Sequence, residues 1–413
     1  MSSSSGNRVV VTGMGIVSPI GIGLDAFWDS LINCKSGIGP ITRFDVSDFP
    51  VKIASEVKNF DMRDYFGKKC RPHRYSHQTQ MGLVACKQSL EQAGLTPEML
   101  KKEEVVPVVL GIASSANHLI EKNAKILNEK GPHRMPLNVR AFPPAATAGA
   151  ISNFFGFQVS ATTISSCCPA GLDAIYEAAR MIREGRSDLV LAGAMDSYVT
   201  PVTVSSFSAI NLAAASTDLP PENVCRPFDK KRSGPVFGEG AGLVVLERLD
   251  SALARGATPL AEIAAGARFT DHVSEEALSG MAQSMDAALK NAGIYPSQVD
   301  YISAVAPGAP DMDVHETKAI KKVFGDHARR IPVSSLWGTV GHSLAFDAVM
   351  QLVACVLAIE HNLIPPTANL TNPDPECDLD HVPLIPRRAK VDVAIASSHG
   401  MAAENSTLVI KRV

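Results

Sequence analysis

The segment from residue 159 to residue 182, VSATTISSCCPAGLDAIYEAARMI, places a cysteine where a strand gives way to a helix. Its first residues are β-prone and bounded by polar residues, which predicts a buried strand. Apolar residues then recur at helical spacing, which predicts a core helix, namely at Leu172, Ile175, Ala178, Ala179 and Ile182. The join is Cys168-Pro169, and proline favours the first position of a helix.

Cys168 is therefore predicted to occupy the N-cap, where free backbone N–H groups and the positive end of the helix dipole face its sulfur. Such a position lowers the pKa of a thiol and makes a nucleophilic thiolate available near neutral pH. Cys168 is the candidate nucleophile, and the alternative is a small buried cysteine in a strand-to-helix turn. Strand alternation points Cys167 in the opposite direction, which predicts that it belongs to the core.

The composition excludes several kinds of protein. The chain has 413 residues, 46% of them hydrophobic and 20% charged, which is typical of globular proteins with a large core. A net charge of −3 leaves no basic footprint for nucleic acid. The eight cysteines lack paired spacing, which argues against structural zinc and indicates free thiols in a reducing compartment. A G-x-G after the first predicted strand lacks the third glycine of a dinucleotide fingerprint, so no such cofactor is expected.

Membrane insertion and secretion are also not expected. The N-terminus has no apolar signal core. The longest mainly apolar run, residues 348–359, is too short to span a bilayer and predicts a buried helix. These observations predict a cytoplasmic protein.

Strands and helices alternate through both halves of the chain, which predicts an α/β fold with mostly parallel sheets. The similar rhythm of the halves indicates an internal structural duplication, divided here into residues 1–255 and 256–413. The second half has its own strand-to-helix site, at which His342 precedes a predicted buried helix over residues 343–359. A helix N-terminus disfavours imidazolium, so His342 is predicted to be a neutral hydrogen-bond donor. The alternative is a capping or core histidine.

Motifs along almost the whole chain resemble those of the β-ketoacyl-ACP synthases, the elongating type within the thiolase-like condensing enzymes. They are VVVTGMGIVSPIG at 9–21, RPFDKKRSG at 226–234, GEGAGLVVLE at 238–247, ETKAIKKVFGDHA at 316–328, VGH at 340–342 and PDPECDLD at 373–380. The resemblance implies a five-layered αβαβα fold made of two fused, pseudo-duplicated halves. It also implies a homodimer, or a heterodimer with another ketosynthase.

The same resemblance implies a reaction. An acyl group moves from the phosphopantetheine arm of an acyl carrier protein, or from CoA, onto Cys168, and no resident cofactor or metal is needed. Two histidines then hold the carbonyl of a malonyl thioester while it loses carbon dioxide and attacks the acyl group. His342 matches the second of these histidines, and the first half of the chain carries the nucleophile.

The sequence departs from the family's pattern around this chemistry. Where the family has Asn-Ala-His-Gly-Thr, residues 303–307 are SAVAP, so Val305 replaces the first histidine. Two threonines that usually contact the pantetheine arm become Pro307 and Ala309. The lysine before the second histidine becomes Trp337, which leaves its acidic partner Glu316 without that counter-ion.

The C-terminal loop also departs, since Ser-Phe-Gly-Phe-Gly-Gly becomes SHGMAA at 398–403. Met401 thereby replaces a phenylalanine that gates the nucleophile. His399 supplies the missing imidazole, accepts a proton from an attacking nucleophile, or simply fills the space of a phenylalanine. Val305, Trp337 and Ser274 are further candidates for substrate binding.

Loss of one preorganised donor to an enolate costs about 3–4 kcal/mol, a factor of about 10²–10³ in rate. Val305 cannot donate, so malonyl condensation is expected to be impaired. Acylation of Cys168 needs less, because the backbone N–H groups of Cys168 and Met401 can serve a tetrahedral oxyanion whatever side chains they carry. Acyl transfer is therefore the half-reaction expected to remain.

Three functions follow from this pattern. The first is an acyltransferase of polyketide-like or fatty-acid-like specialised metabolism that uses Cys168 and His342, with an acceptor that is separate or within the same substrate. The second is a normal decarboxylating synthase in which His399 or a water replaces the lost donor. The third is a non-catalytic partner subunit that resembles a chain-length factor, although such partners usually lack the cysteine.

Overall fold

A computed structural model of the protein describes residues 7–114, 116–210, 212–214, 218–271 and 279–413. The strands of the first half are β1 (Val9–Ser18), β2 (Gly21–Ile22), β3 (Ile38–Pro40), β4 (Ile53–Ser55), β5 (Val106–Gly111), β6 (Val159–Ile164), β7 (Leu189–Ser197) and β8 (Glu239–Arg248). Those of the second half are β9 (Ala261–Thr270), β10 (Tyr301–Ala304), β11 (Pro332–Ser335), β12 (Leu363–Ile364), β13 (Asp380–His381), β14 (Arg387–Arg388), β15 (Val393–His399) and β16 (Glu404–Lys411).

The α-helices are divided in the same way. The first half contains α1 (Leu24–Ile32), α2 (Arg63–Phe66), α3 (His77–Gln92), α4 (Pro97–Leu100), α5 (Asn117–Lys130), α6 (Ala146–Phe155), α7 (Ala170–Arg183), α8 (Pro201–Ala209) and α9 (Leu249–Ala254). The second half contains α10 (Ser279–Ala292), α11 (Pro310–Phe324), α12 (Trp337–Val340) and α13 (Ala345–His361).

The strands show the duplication that the rhythm of the sequence predicts. The first half places its strands in the order β1-β8-β7-β5-β6, and the second in the order β9-β16-β15-β10-β11. Both sets begin with two antiparallel pairings and continue with two parallel ones. They meet where β1 pairs with β9, at Val10–Glu262 and Val11–Ala261. The prediction of mostly parallel sheets is therefore wrong beside this junction, where β8 and β16 run against both neighbours.

Helices and sheets alternate in five layers. The middle layer contains α7 and α13, whose Ile175 and Val353 share one apolar cluster with strand residues of both halves. Met81 of α3 packs on the outer face of the first sheet, and Met285 of α10 on the outer face of the second. Burying apolar surface on both faces of each sheet is the main stabilising contribution of this architecture. The predicted five-layered αβαβα fold is confirmed.

A close approach in the middle layer brings the starts of α7 and α13 together. A Cβ atom on Gly171 would lie 2.3 Å from the carbonyl oxygen of Ala345, so only glycine fits there. Both residues lie in the first turns of their helices. The two strand-to-helix turns that precede these helices therefore face each other.

Several predicted elements differ in detail. β6 was predicted to be buried, but it forms an edge of the sheet and its residues are half-buried or exposed. α8 was not predicted, since its polar hydroxyl residues break the apolar periodicity. The helix predicted over residues 275–292 is observed as Ser279–Ala292, and its first residues, like Ser274, lie outside the described ranges. Within those ranges, no helix is both long and apolar enough to cross a membrane.

Candidate active site

Cys168 and His342 meet although they are 174 positions apart in the sequence, and their Sγ and Nε2 atoms lie 3.7 Å apart. Cys168 follows β6 and precedes α7, whereas His342 follows β11 and precedes α13. β6 and β11 occupy equivalent places in the two halves. The duplication therefore supplies the sulfur from one half and the imidazole from the other.

Cys168 differs from its prediction in position and in charge. The N-cap of α7 is Pro169, and the helix begins at Ala170, so Cys168 lies one residue before the predicted place. The side chain is buried, and Cys168 is only 3% exposed. A hydrogen bond to Cys167 and this burial raise the pKa of the Cys168 thiol, contrary to the expected lowering. Cys168 therefore needs a base to ionise, and His342 Nε2 is placed to act as one.

Cys167 is not a core residue as predicted. It is half-buried, with a φ of 57°, and its Sγ lies 3.8 Å from that of Cys168. The hydrogen bond from Cys168, together with the backbone N–H groups of Met401 and Cys168, lowers the pKa of Cys167 to about 6, although burial opposes this. These two N–H groups are the ones expected to form the oxyanion hole. The Cys167 sulfur therefore stands where a carbonyl oxygen would have to enter.

Alkylation should reveal this division of charge between the two sulfurs. We expect iodoacetamide to modify Cys167 with a midpoint near pH 6, because its thiolate persists below neutrality. In Cys167→Ala, the low-pH phase should disappear and Cys168 should react only at higher pH. Mass spectrometry of the modified peptide measures both. A wild-type midpoint near the usual thiol range of about 8.5 would contradict the assignment.

Asp347 completes the site, and the sequence analysis missed it. Its carboxylate Oδ2 lies in close hydrogen-bond contact with His342 Nδ1. The Ser343 N–H donates to Oδ1 at 2.8 Å, and Asp347 is only 1% exposed. A carboxylate on Nδ1 holds the ring proton there and leaves the Nε2 lone pair directed toward Cys168. His342 is therefore arranged as a proton acceptor at Nε2, rather than as the predicted neutral donor.

A signal for Asp347 was present in the sequence. It is an acid in a long, mainly apolar helix and lies five residues after His342. A buried carboxylate requires partners. Asp347 lies at the start of the apolar run, where a charged residue can be solvent-exposed, so the pattern did not show that it is buried.

Trp337 supports the acid rather than lining the substrate cavity. Its indole Nε1–H lies 3.0 Å from Asp347 Oδ2 and 2.9 Å from His342 Nδ1. Because Nδ1 keeps its own proton, the indole N–H donates to the carboxylate. Trp337 is 1% exposed. Trp337 was expected to bind substrate, but its indole lies at the Nδ1 side of the His342 imidazole and is not part of the cavity lining.

Val305 and Glu316 mark the altered half of the site. Val305 lines the cavity beside Cys168 and offers no polar side-chain atom. The Glu316 carboxylate accepts the N–H groups of Val305 at 2.9 Å and Ala306 at 2.7 Å. The acid expected to lack a counter-ion has His399 beside it, with Nε2 at 3.5 Å from Oε1.

Cys168 and His342 open onto a small apolar cavity of about 30 Å³. Its lining consists of Cys168, Leu212, Pro235, Phe237, Val305, Pro307, Ala309, Met312, His342, His399 and Met401. Met401 is 53% exposed, which places it at the outer side of the cavity. The volume holds little more than one water, so an acyl group can enter only if lining side chains move.

Strained backbone surrounds the cavity. Positive φ angles occur at non-glycine residues in each of the turns that meet there, namely at Cys167 (57°), Ala306 (29°), Leu344 (55°) and Ala403 (68°). Each such residue costs of order 1–3 kcal/mol. Strain of this kind persists where the surrounding structure fixes a turn for function, which supports this cavity as the active site. Within the described ranges, no cluster of metal-ligating side chains competes with it.

Comparisons with known proteins identify the family. Residues 6–252 match the family model "Beta-ketoacyl synthase, N-terminal domain", and residues 260–371 match "Beta-ketoacyl synthase, C-terminal domain". The 3-oxoacyl-[acyl-carrier-protein] synthase 2 of Synechocystis sp. is 37% identical over 423 aligned positions, which cover 100% of both chains.

Two solved structures are also similar. The ishigamide ketosynthase/chain length factor has a TM-score of 0.91 and 32% identity, and the match covers 99% of this chain and 100% of that one. A type II PKS acyl-carrier protein in complex with its ketosynthase bound to the hexaketide has a TM-score of 0.90 and 30% identity. That match covers 99% of this chain and 100% of the other.

Proposed function

Because the chain belongs to the β-ketoacyl synthase family of fatty-acid and polyketide biosynthesis, we propose that it acts as a Cys168 acyltransferase. It takes an acyl group from a carrier-protein or CoA thioester and passes it to an acceptor, with malonyl decarboxylation impaired or absent. The observation that carries the proposal is the Cys168–His342–Asp347 relay, with Nε2 3.7 Å from Sγ and Asp347 on Nδ1.

The relay accounts for loading step by step. His342 Nε2 takes the Cys168 proton, and the sulfur attacks the thioester carbonyl. A new carbon–sulfur bond forms, and the bond to the carrier sulfur breaks. The departing thiolate recovers the proton from His342, so that no net charge is left.

The oxyanion of this step needs donors. The N–H groups of Cys168 and Met401 can supply them once the Cys167 side chain turns aside, which vacates the space it now fills. Its removal in Cys167→Ala should therefore not harm loading. If Cys167 Sγ only occupies the oxyanion hole, Cys167→Ala should load normally. If Cys167 Sγ takes part in the transfer, the variant should load more slowly.

Decarboxylation lacks its usual support. Val305 cannot donate to an enolate oxygen, and the single missing donor costs about 10²–10³ in rate. The neighbouring Glu316 is engaged by backbone N–H groups. Both observations favour acyl transfer over condensation.

Acyl-loading mass spectrometry tests the proposal. Wild-type protein incubated with acyl-CoA or acyl carrier protein should gain one acyl mass, located on the peptide that contains Cys168. Cys168→Ala should gain none, whereas Cys167→Ala should still load. Absence of any adduct on wild-type protein with a series of thioesters would refute the proposal.

A second candidate, decarboxylative condensation, is favoured by one observation. His399 is an additional imidazole in the cavity and, once it carries a proton on Nε2 as well as on Nδ1, can stand in for the donor lost at Val305. Carbon dioxide released from malonyl carrier protein, and lost in His342→Ala, would support this candidate over the first.

We further propose an acyl carrier protein as the donor partner and a homodimer, or a heterodimer with a second ketosynthase, as the assembly. The half-buried or exposed edge strand β6 is available for pairing with another subunit. Co-purification with an intact synthase, together with an inert Cys168, would instead favour a subunit that resembles a chain-length factor.

A further inference from the structure

His399 is a buried imidazole that the loading step does not use. It ends β15 at the turn that leads to Met401, and it is 3% exposed. It lines the same cavity as Cys168 and His342. Its Nε2 atom has no hydrogen-bond partner among the described residues. A buried nitrogen left free beside a nucleophile requires an explanation.

The tautomer of His399 follows from its neighbours. Its Nδ1 lies 3.0 Å from Asn405 Oδ1. The Asn405 amide cannot be turned over, because its Nδ2 donates to Ala403 O at 2.8 Å and to Asp271 Oδ2 at 3.2 Å. Asn405 therefore presents its oxygen, and His399 donates from Nδ1. When the ring is neutral, its Nε2 atom therefore carries a lone pair.

Glu316 lies beside that lone pair, with Oε1 3.5 Å from Nε2. Glu316 is 1% exposed and is held by the N–H groups of Val305 and Ala306. A buried carboxylate at this distance stabilises positive charge on the imidazole once a proton arrives. The pair therefore forms a second acid–base unit, separate from His342 and Asp347.

We infer that His399 is the general base for the acceptor, and that the acceptor carries an O–H or N–H group. The inference rests on the proposed acyl transfer, and it assigns the two imidazoles to successive steps. His342 serves the loading of Cys168, and His399 serves its release. A carbon acceptor formed by decarboxylation would not need this base, because its nucleophile arises by loss of carbon dioxide.

Release moves the acyl group from Cys168 to the acceptor. The acceptor heteroatom attacks the carbonyl of the Cys168 thioester, and its proton passes to His399 Nε2. The new bond to oxygen or nitrogen forms, and the bond to Cys168 Sγ breaks. Sγ leaves as a thiolate, and the proton held by His399 returns to it through the cavity. The products are an ester, an amide or a free acid, and a regenerated thiol.

His399→Phe tests the inference, since it preserves an aromatic side chain of the size that the related synthases carry in this loop. The protein is loaded with hexanoyl-CoA, and release of the hexanoyl group to water, 1-butanol or butylamine is followed by mass spectrometry. We expect loading within about twofold of wild type and release slowed about 10²-fold, so that the acyl-enzyme accumulates. His399→Gln should behave alike, because an amide cannot hold the proton.

The controls separate this inference from the function it rests on. His381→Gln removes another buried histidine, which lies outside the cavity lining and should leave both steps unchanged. Wild-type protein that never loads would refute the acyltransferase itself. Normal release by His399→Phe would overturn the role of His399 alone. The role of His399 would also be overturned if the wild-type acyl-enzyme transferred its acyl group only to malonyl carrier protein. The same holds if it transferred the group to none of the acceptors.

Discussion

Replacing Asp347 by asparagine is expected to slow acylation of Cys168 by about 10²–10⁴-fold, because the relay then loses its tautomer control. An amide NH₂ at the Oδ2 position faces His342 Nδ1 and the Trp337 N–H. At the Oδ1 position it faces the Ser343 N–H, 2.8 Å away. In the first arrangement, His342 must carry its proton on Nε2 and cannot accept one from Cys168. Rapid-quench mass spectrometry of acyl loading measures the rate.

Asp347 acts through His342, so its effect should appear in the maximal loading rate rather than in the concentration of thioester needed for half of it. Trp337→Phe removes one donor to the carboxylate and leaves the acid in place. We expect that variant to lose much less, within about tenfold. Equal losses in both variants, or a lowered melting temperature that explains both, would show that Asp347 is structural only.

Replacing Glu239 by alanine is expected to lower the free energy of unfolding by about 3–5 kcal/mol. The change breaks a buried ion pair and leaves the groups that donate to the carboxylate without an acceptor. The Glu239 carboxylate is fully buried at the start of β8, in close contact with the Arg43 guanidinium. It also accepts the Val57 N–H at 2.8 Å and the Ser197 hydroxyl at 2.7 Å. Urea unfolding of wild type and variant at pH 7 measures the difference in free energy.

The same residue predicts an acid sensitivity. Burial opposes ionisation, yet His77 and Arg43 lower the pKa of Glu239 from its ordinary value of 4.5 to about 2. Because the folded value lies below the unfolded one, the carboxylate contributes its full stability above about pH 4.5. That contribution, about 3 kcal/mol, is lost as the pH falls toward 2. Glu239→Gln should flatten this part of the pH profile, and Glu376→Gln, an exposed acid, should not.

The alternation of strands and helices, and the two turns at Cys168 and His342, could be predicted from the sequence because both leave local patterns. The strand-to-helix turn at Cys168 and the second turn at His342 each combine a short apolar strand with a following apolar helix. Those patterns survive as β6–α7 and β11–α13. The motifs then fixed the five layers, which no local pattern specifies.

Other features depend on contacts between distant residues, and the sequence could not show them. The direction of the Cys168 pKa follows from its burial and from Cys167, not from the helix dipole alone. Pairing of His399 with Glu316 joins residues from β15 and α11. Asp347 could have been suspected from its helix, but its partner on His342 Nδ1 became evident only in three dimensions.

The Cys168 sulfur and the His342 imidazole lie on different repeats, so the pair can form only when both repeats are folded and packed together. Neither repeat holds the Cys168–His342 pair by itself, because the sulfur belongs to the first repeat and the imidazole to the second. If the proposed acyl transfer holds, a chain in which only the first repeat has folded lacks the His342 base, and we expect its Cys168 to load thioesters poorly.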